Sequence, residues 1–140
     1  MVEVVVEFRE GSDAMSINSL FYERRASTLA NPVPAGATDY QLFYYEKTVN
    51  IPLQIVSLGT DQHDNSVYKW YIDGNLVASI SGAAAVGSIF KPYVFPRPIR
   101  VEQSIELKID NLNGKAYPND TGTTHVDRVP YECVVSGIWG

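Results

Sequence analysis

From Ile105 to Asp110 apolar and charged residues alternate without a break, with Ile105, Leu107 and Ile109 on one parity and Glu106, Lys108 and Asp110 on the other. A helix would turn Leu107 away from Ile105 and Ile109, whereas an extended chain places all three on one face. The segment is therefore expected to be a strand with one buried side. The same period runs through Val49, Ile51, Leu53 and Ile55, which alternate with Asn50, Pro52, Gln54 and Val56. All seven apolar residues are expected to point inward. Pro52 has no N–H to give to a ladder, which places its strand at a sheet edge or a bulge.

Between 67 and 80 the order Val-Tyr-Lys-Trp-Tyr-Ile, Asp73-Gly74-Asn75, Leu-Val-Ala-Ser-Ile predicts a β-hairpin, because Asp-Gly supplies the positive φ that tight hairpin turns require. Within its first strand Tyr68 and Trp70 share one face, and Lys69 and Tyr71 the other. Trp70 is expected to anchor the core, since its indole brings the largest buried area. Further strands are expected over 2–8, 40–46, 86–91, 98–102 and 131–138. With 16 Val and 10 Ile against 8 Leu, and 9 Tyr besides, the balance favours a pleated surface over helix turns. Only 16–30 carries a helical pattern, with Ile17, Leu20, Phe21 and Arg24 at i, i+3, i+4 and i+7 behind a Ser16 cap, although Phe21-Tyr22 equally begins a strand. Loops are expected over 31–39, 59–66 and 111–127; the last is long for a hairpin connection and so a place to look for contacts. The pattern implies an all-β, antiparallel sandwich or barrel of about eight strands with little helix.

A chain of 140 residues suits one domain over 1–140, with a core that needs no metal or disulfide staple. The single Cys133 forms no internal disulfide, which excludes a cysteine-framework module. A net charge of -5 and a pI of about 4.9 argue against a general nucleic-acid binder, which needs clustered Lys and Arg. The start of the chain has no basic region ahead of a long apolar stretch, so no secretory signal is expected there. The small-residue run from Ala83 to Val86 is far too short to span a bilayer, and no membrane partner is expected.

Enzyme chemistry would have to begin from His63, His125 or Cys133, the only His and Cys side chains present. Cys133 lies beside Val134 and Val135 in an expected strand and reads as a small packed hydrophobe. No nucleophile elbow, phosphate-cradling glycine loop or zinc-type pair occurs. Asp61, His63, Asp64 and Asn65 supply oxygen and nitrogen donors within one loop, yet their spacing departs from the calcium-loop pattern, and Asp and Asn are ordinary turn residues; a solvated loop is the better reading. Asp120, His125 and Asp127 fall in a polar loop to which no chemistry is assigned. The expectation is therefore no enzyme, with no catalytic, cofactor-binding or metal residues. A binding alternative rests on aromatic faces for sugars, offered by Tyr68, Trp70, Tyr71, Tyr117 and the run Phe43-Tyr44-Tyr45.

The segment Tyr93-Val94-Phe95-Pro96-Arg97-Pro98-Ile99-Arg100-Val101, continuing through Glu102-Gln103-Ser104-Ile105-Glu106-Leu107-Lys108-Ile109-Asp110-Asn111, precedes a closing strand Val135-Ser136-Gly137-Ile138-Trp139-Gly140. This aromatic-proline approach, a strand ending in Asp-Asn and a terminal Gly-aromatic strand resemble small jelly-roll virion proteins of phages and archaeal viruses, over the C-terminal third to half of the chain. The resemblance implies a capsid or decoration subunit in the virion, partnered by other virion proteins and by copies of itself as a homo-oligomer, with no catalytic residues. Tyr-Lys-Trp-Tyr-Ile-Asp-Gly also resembles the central hairpin of immunoglobulin-like modules, although the paired cysteines of that family are missing; the sandwich topology stays open between jelly roll and Ig-like, with jelly roll the preferred expectation. Pro32, Pro34, Pro92, Pro96, Pro98, Pro118 and Pro130 stiffen the connections, as suits a scaffold whose use is its surface.

Overall fold

The computed structural model describes residues 20–140 apart from 85 and 123. The strand expected over 2–8 and the Ser16 cap and Ile17 of the expected helix lie outside the described residues. Among the described residues eight strands form: β1 (Leu20–Ala26), β2 (Tyr40–Glu46), β3 (Leu53–Thr60), β4 (Ser66–Ile72), β5 (Asn75–Leu76), β6 (Tyr93–Val101), β7 (Ser104–Asn111) and β8 (Glu132–Trp139). Helix among the described residues is confined to two 3-10 turns, Ala78–Ile80 and His125–Arg128.

All pairings between these strands are antiparallel, and they build two four-stranded sheets in the orders β1-β8-β3-β6 and β2-β7-β4-β5. Strand β1 pairs with β8, β2 with β7, β3 with β6 and β4 with β5, as in one long hairpin folded at the β4–β5 turn. Two further pairs, β3 with β8 and β4 with β7, appear when that hairpin is rolled up. The result is an eight-stranded jelly roll, an all-β sandwich with a closed core. At the tip of the hairpin Asp73 (φ 52°) and Gly74 (φ 81°) both take positive φ, the two-residue turn that matches the twist of its flanking strands.

The core is built from inward rows that cross each sheet. In one sheet Phe43, Leu107 and Trp70 lie in register, flanked by Tyr40, Ile109 and Tyr68. In the other, Leu53, Ile55 and Leu58 of β3 lie inward beside Val135 and Val101. Bulges keep the apolar set inside where strict alternation would not: β3 slips between Ile55 and Ser57, so Leu58 turns inward while Ser57 meets Ser136 at 2.6 Å. Strand β2 slips between Gln41 and Phe43 with the same effect.

Several expectations are corrected. Residues 20–26 form a strand and not a helix, because β8 offers a partner along all seven positions; Phe21 is buried while Leu20, Tyr22 and Arg24 face out. Val49 and Ile51 do not point inward, being 47% and 49% exposed. Their alternation continues that of β3, but β3 is an interior strand with ladders on both sides, and Pro52 cannot donate to either, so pairing starts at Leu53. Pro52 thus precedes a central strand instead of lying at an edge. The prolines that do sit in a strand, Pro96 and Pro98, are in the edge strand β6, which reaches back to Tyr93 and not only to Pro98. The second arm of the expected hairpin is two residues long, because Ser81 Oγ takes the Trp70 N–H (2.9 Å) and donates to the Val77 carbonyl (2.8 Å), closing a 3-10 arch where ladder bonds would have formed. Residues 86–91 are irregular and touch β3 through a single bridge, Thr60 to Ser88. Gly59 and Gly87 allow that approach, since a Cβ on either would collide with backbone. Thr60 and Gly59 belong to β3, which shortens the loop expected over 59–66.

Leu107 is fully buried between Phe43 and Trp70, whereas Val49 is half exposed. Leu107→Ala should therefore cost about 2–5 kcal/mol in urea unfolding, and Val49→Ala no more than about 0.5 kcal/mol. Equal losses for the two would contradict the placement of β3's start.

Candidate functional site

At one end of the sandwich the β3–β4 loop is drawn into the interior. Asp61 and His63 are buried, against the expectation of a solvated loop, while Asp64 and Asn65 stay exposed. Asp61 Oδ1 accepts the Glu132 N–H at 2.6 Å; Oδ2 accepts the Tyr68 hydroxyl at 2.7 Å and the His63 N–H at 3.2 Å. Burial pushes the Asp61 carboxyl above its ordinary range, against the pull of these donors. The Tyr68 hydroxyl is raised by burial and then by the Asp61 charge. His63 packs against the rings of both Tyr117 and Tyr131, with centroids at 4.3 and 4.5 Å, and its Nε2 lies 2.7 Å from the Val129 carbonyl, which requires the proton on Nε2. Tyr131 in turn meets Ser66 Oγ at 2.5 Å. These groups answer one another, and the arrangement joins β3, β4, β8 and the β7–β8 loop into one polar cluster.

Around the β7–β8 loop the polar residues are also fixed. Asn111, at the end of β7, donates its amide to the carbonyls of Val33, Pro34 and Lys115. Asp127 is buried, closing a capping box with Thr124 and pairing with Lys115 at 3.0 Å. The Thr124 hydroxyl, then Lys115, bring its carboxyl down to about 2. His125 and Asp120 are exposed. Of Asp120, His125 and Asp127 it is thus Asp127 that anchors this loop. Cys133 is buried, and burial pushes its thiol up to about 12, far from a nucleophile's range. Among the described residues no three His, Cys, Asp or Glu side chains are gathered to hold a metal ion.

The aromatic residues divide cleanly. Trp70, Tyr68, Phe43 and Tyr117 are buried, so none of them offers a face to a ligand, and the sugar alternative does not stand on Trp70 or Tyr117. Tyr71 faces outward beneath the ammonium of Lys108, 5.1 Å from its ring centre. Tyr44 is 43% exposed on the outer face of β2 and walls one side of an open cleft of about 190 Å³. Glu46, Lys47, Glu102, Gln103 and Ser104 complete the lining. The Tyr44 hydroxyl donates to Glu46 Oε1 at 3.0 Å, Lys47 Nζ donates to the Ile51 carbonyl at 3.0 Å, and Glu102 pairs with Arg100. Asp73 holds the opposite wall: its carboxylate accepts the backbone N–H groups of Glu102 (3.1 Å), Gln103 (2.6 Å) and Ser104 (3.1 Å). Tyr44 stands in an aromatic run that the sequence displays, whereas Glu46, Lys47, Glu102, Gln103 and Ser104 carry no local signal of a cleft. The chain matches no protein-family model and no curated protein sequence.

Asp61→Ala would leave the Tyr68 O–H and the Glu132 N–H unanswered, while the His63 N–H keeps the Tyr68 oxygen as acceptor at 3.0 Å; at about 1–3 kcal/mol for each lost partner, a loss of at least about 2 kcal/mol in urea unfolding is expected, and a near-neutral change would show that water replaces the carboxylate. The folded-state pKa of Asp127 lies below the ordinary 3.8, so its contribution is complete above that value and disappears as the pH falls through about 2. Asp127→Asn should lower the melting temperature at pH 7, and the gap to the unsubstituted protein should close as the pH is taken from 4 toward 2.

Proposed function

We propose that the chain is a viral structural protein, a minor capsid or decoration subunit that acts in the virion by contacts with other virion proteins and with copies of itself, without catalysis. The observation that carries this reading is the jelly-roll strand order, joined to the resemblance of residues 93–111 and 135–140 to virion proteins. Jelly rolls also serve other uses, so the surface must support the role. On the outer face of the β1-β8-β3-β6 sheet Leu20 lies opposite Ile138, and Tyr22, Ser136, Ser57 and Val94 follow in one row. Leu20, Tyr22, Val94 and Ile138 are all exposed. Beyond the same sheet Phe90 is 95% exposed at the tip of a turn closed by Ser88 and Lys91, on a loop seated against β3. An aromatic side chain held out on a braced turn, beside an apolar row, is suitable material for an interface core. A deeply buried lone thiol and carboxylates engaged by their own donors fit a scaffold better than an enzyme.

The reading predicts a symmetric oligomer in light scattering with mass measurement, and the protein's presence in purified particles. Ile138→Lys together with Phe90→Ser should shift the oligomer toward monomer and leave the melting temperature nearly unchanged, since both side chains are exposed. A monomer at high concentration that is absent from purified particles would overturn the proposal.

A further inference from the structure

We propose that the cleft beside Tyr44 is a binding site for a single hexopyranose unit of a glycan. The inference is independent of the assembly role, because the cleft lies on the β2-β7-β4-β5 sheet and at the β6–β7 turn, away from the apolar row and Phe90.

Size and chemistry select the ligand. Drug-sized ligands fill pockets of about 300–1,000 Å³, so an opening of about 190 Å³ takes one ring-sized group. The lining combines one exposed aromatic ring with two carboxylates, an amide, a hydroxyl and an ammonium. A purely apolar ligand would strip water from Glu46 and Glu102 without giving them donors. A simple cation meets Lys47, and a simple anion meets the two carboxylates. A pyranose satisfies both kinds of wall: its C–H face lies against an aromatic ring, and its rim of hydroxyls donates to carboxylates and exchanges hydrogen bonds with Gln103 and Ser104. The Tyr44 hydroxyl already engages one oxygen of Glu46, which fixes the carboxylate next to the ring while leaving lone pairs for a ligand hydroxyl.

The cleft is also built in advance. Three backbone N–H groups of the Glu102-Gln103-Ser104 turn converge on the Asp73 carboxylate, and the Asp73 N–H donates to the Ser104 carbonyl at 2.8 Å. On the near side the Lys47 N–H donates to the Gln103 carbonyl at 2.7 Å, joining the end of β2 to the same turn. The backbone of both walls is thus tied together without a ligand, and binding has only lining side chains to order.

The test is an NMR titration of the full chain with methyl β-glucopyranoside, methyl α-mannopyranoside and methyl β-galactopyranoside, with tetramethylammonium as a probe of cation binding. At least one of the sugars is expected to shift the Gln103 side-chain amide and the Ser104 resonances saturably. Tyr44→Ala should weaken that sugar about tenfold or more, Tyr44→Phe should keep most of the affinity, and Tyr22→Ala, on the opposite sheet, should change nothing. Should Tyr44→Ala fail to fold, Gln103→Ala at an exposed turn position serves, with weaker binding expected. The proposal is overturned if none of the three sugars shifts these resonances at tens of millimolar, if Tyr44→Ala or Gln103→Ala binds as tightly as the unsubstituted protein, or if only tetramethylammonium binds.

Discussion

A carboxylate taken out of water is tolerated only where donors replace the lost hydration, and Asp61 meets that condition with groups drawn from three parts of the chain. Its partners are the hydroxyl of Tyr68 on β4, the N–H of Glu132 at the start of β8, and the N–H of His63 in its own loop. In satisfying one buried charge the fold fixes where β3 ends, where β8 begins and how the two sheets meet at that end. His63, turned inward by the same loop, then seats Tyr117 and Tyr131 around its ring. Ser27 continues the pattern: its N–H donates to the Tyr131 carbonyl, and its hydroxyl accepts the Tyr131 N–H and donates to the Tyr117 carbonyl. At this end of the sandwich, polar complementarity selects the arrangement that apolar burial alone would leave loose.

The other end is closed by a different device. Phe21, Tyr45 and Trp139 meet edge to face, with centroids 4.9 to 6.3 Å apart, and these rings bridge the two sheets. Between the ends lies a plain hydrocarbon core of Leu53, Ile55, Leu107 and Ile109 beside Trp70. The interior thus passes from a hydrogen-bonded cluster through aliphatic packing to an aromatic clasp.

What could be read in advance follows from the range of the interactions. Alternation over 105–110, the Asp73-Gly74 turn and the inward side of Tyr68 and Trp70 are local facts, and the sequence displays them directly. Val49 and Ile51 misled because alternation records a phase and not a strand end; the end depended on β3 having a neighbour on each side. Residues 20–26 looked helical because four apolar or long side chains fell at helical spacing, while the partner that makes them a strand lies more than a hundred positions away in β8. The polar cluster was equally hidden, since Asp61 and Glu132 are separated by 71 residues. For the cleft, Tyr44 was visible as an aromatic residue, but its outward direction depended on the bulge between Gln41 and Phe43 and the opposite wall on a turn nearly sixty residues away.

The prolines of β6 bear on how copies of the sandwich can add to one another. Pro96 and Pro98 remove two N–H groups from that edge strand, in the stretch 95–98 that skips its register with β3, and a further strand would meet an interrupted ladder there. Among the described residues the opposite edge of the same sheet is β1, seven positions without a proline. Among the described residues this sheet thus offers one regular edge, and joining two copies at that edge consumes it. Pairing of this kind stops at two copies and yields a closed assembly, so a repeat built through this sheet would have to use its face and not its rim.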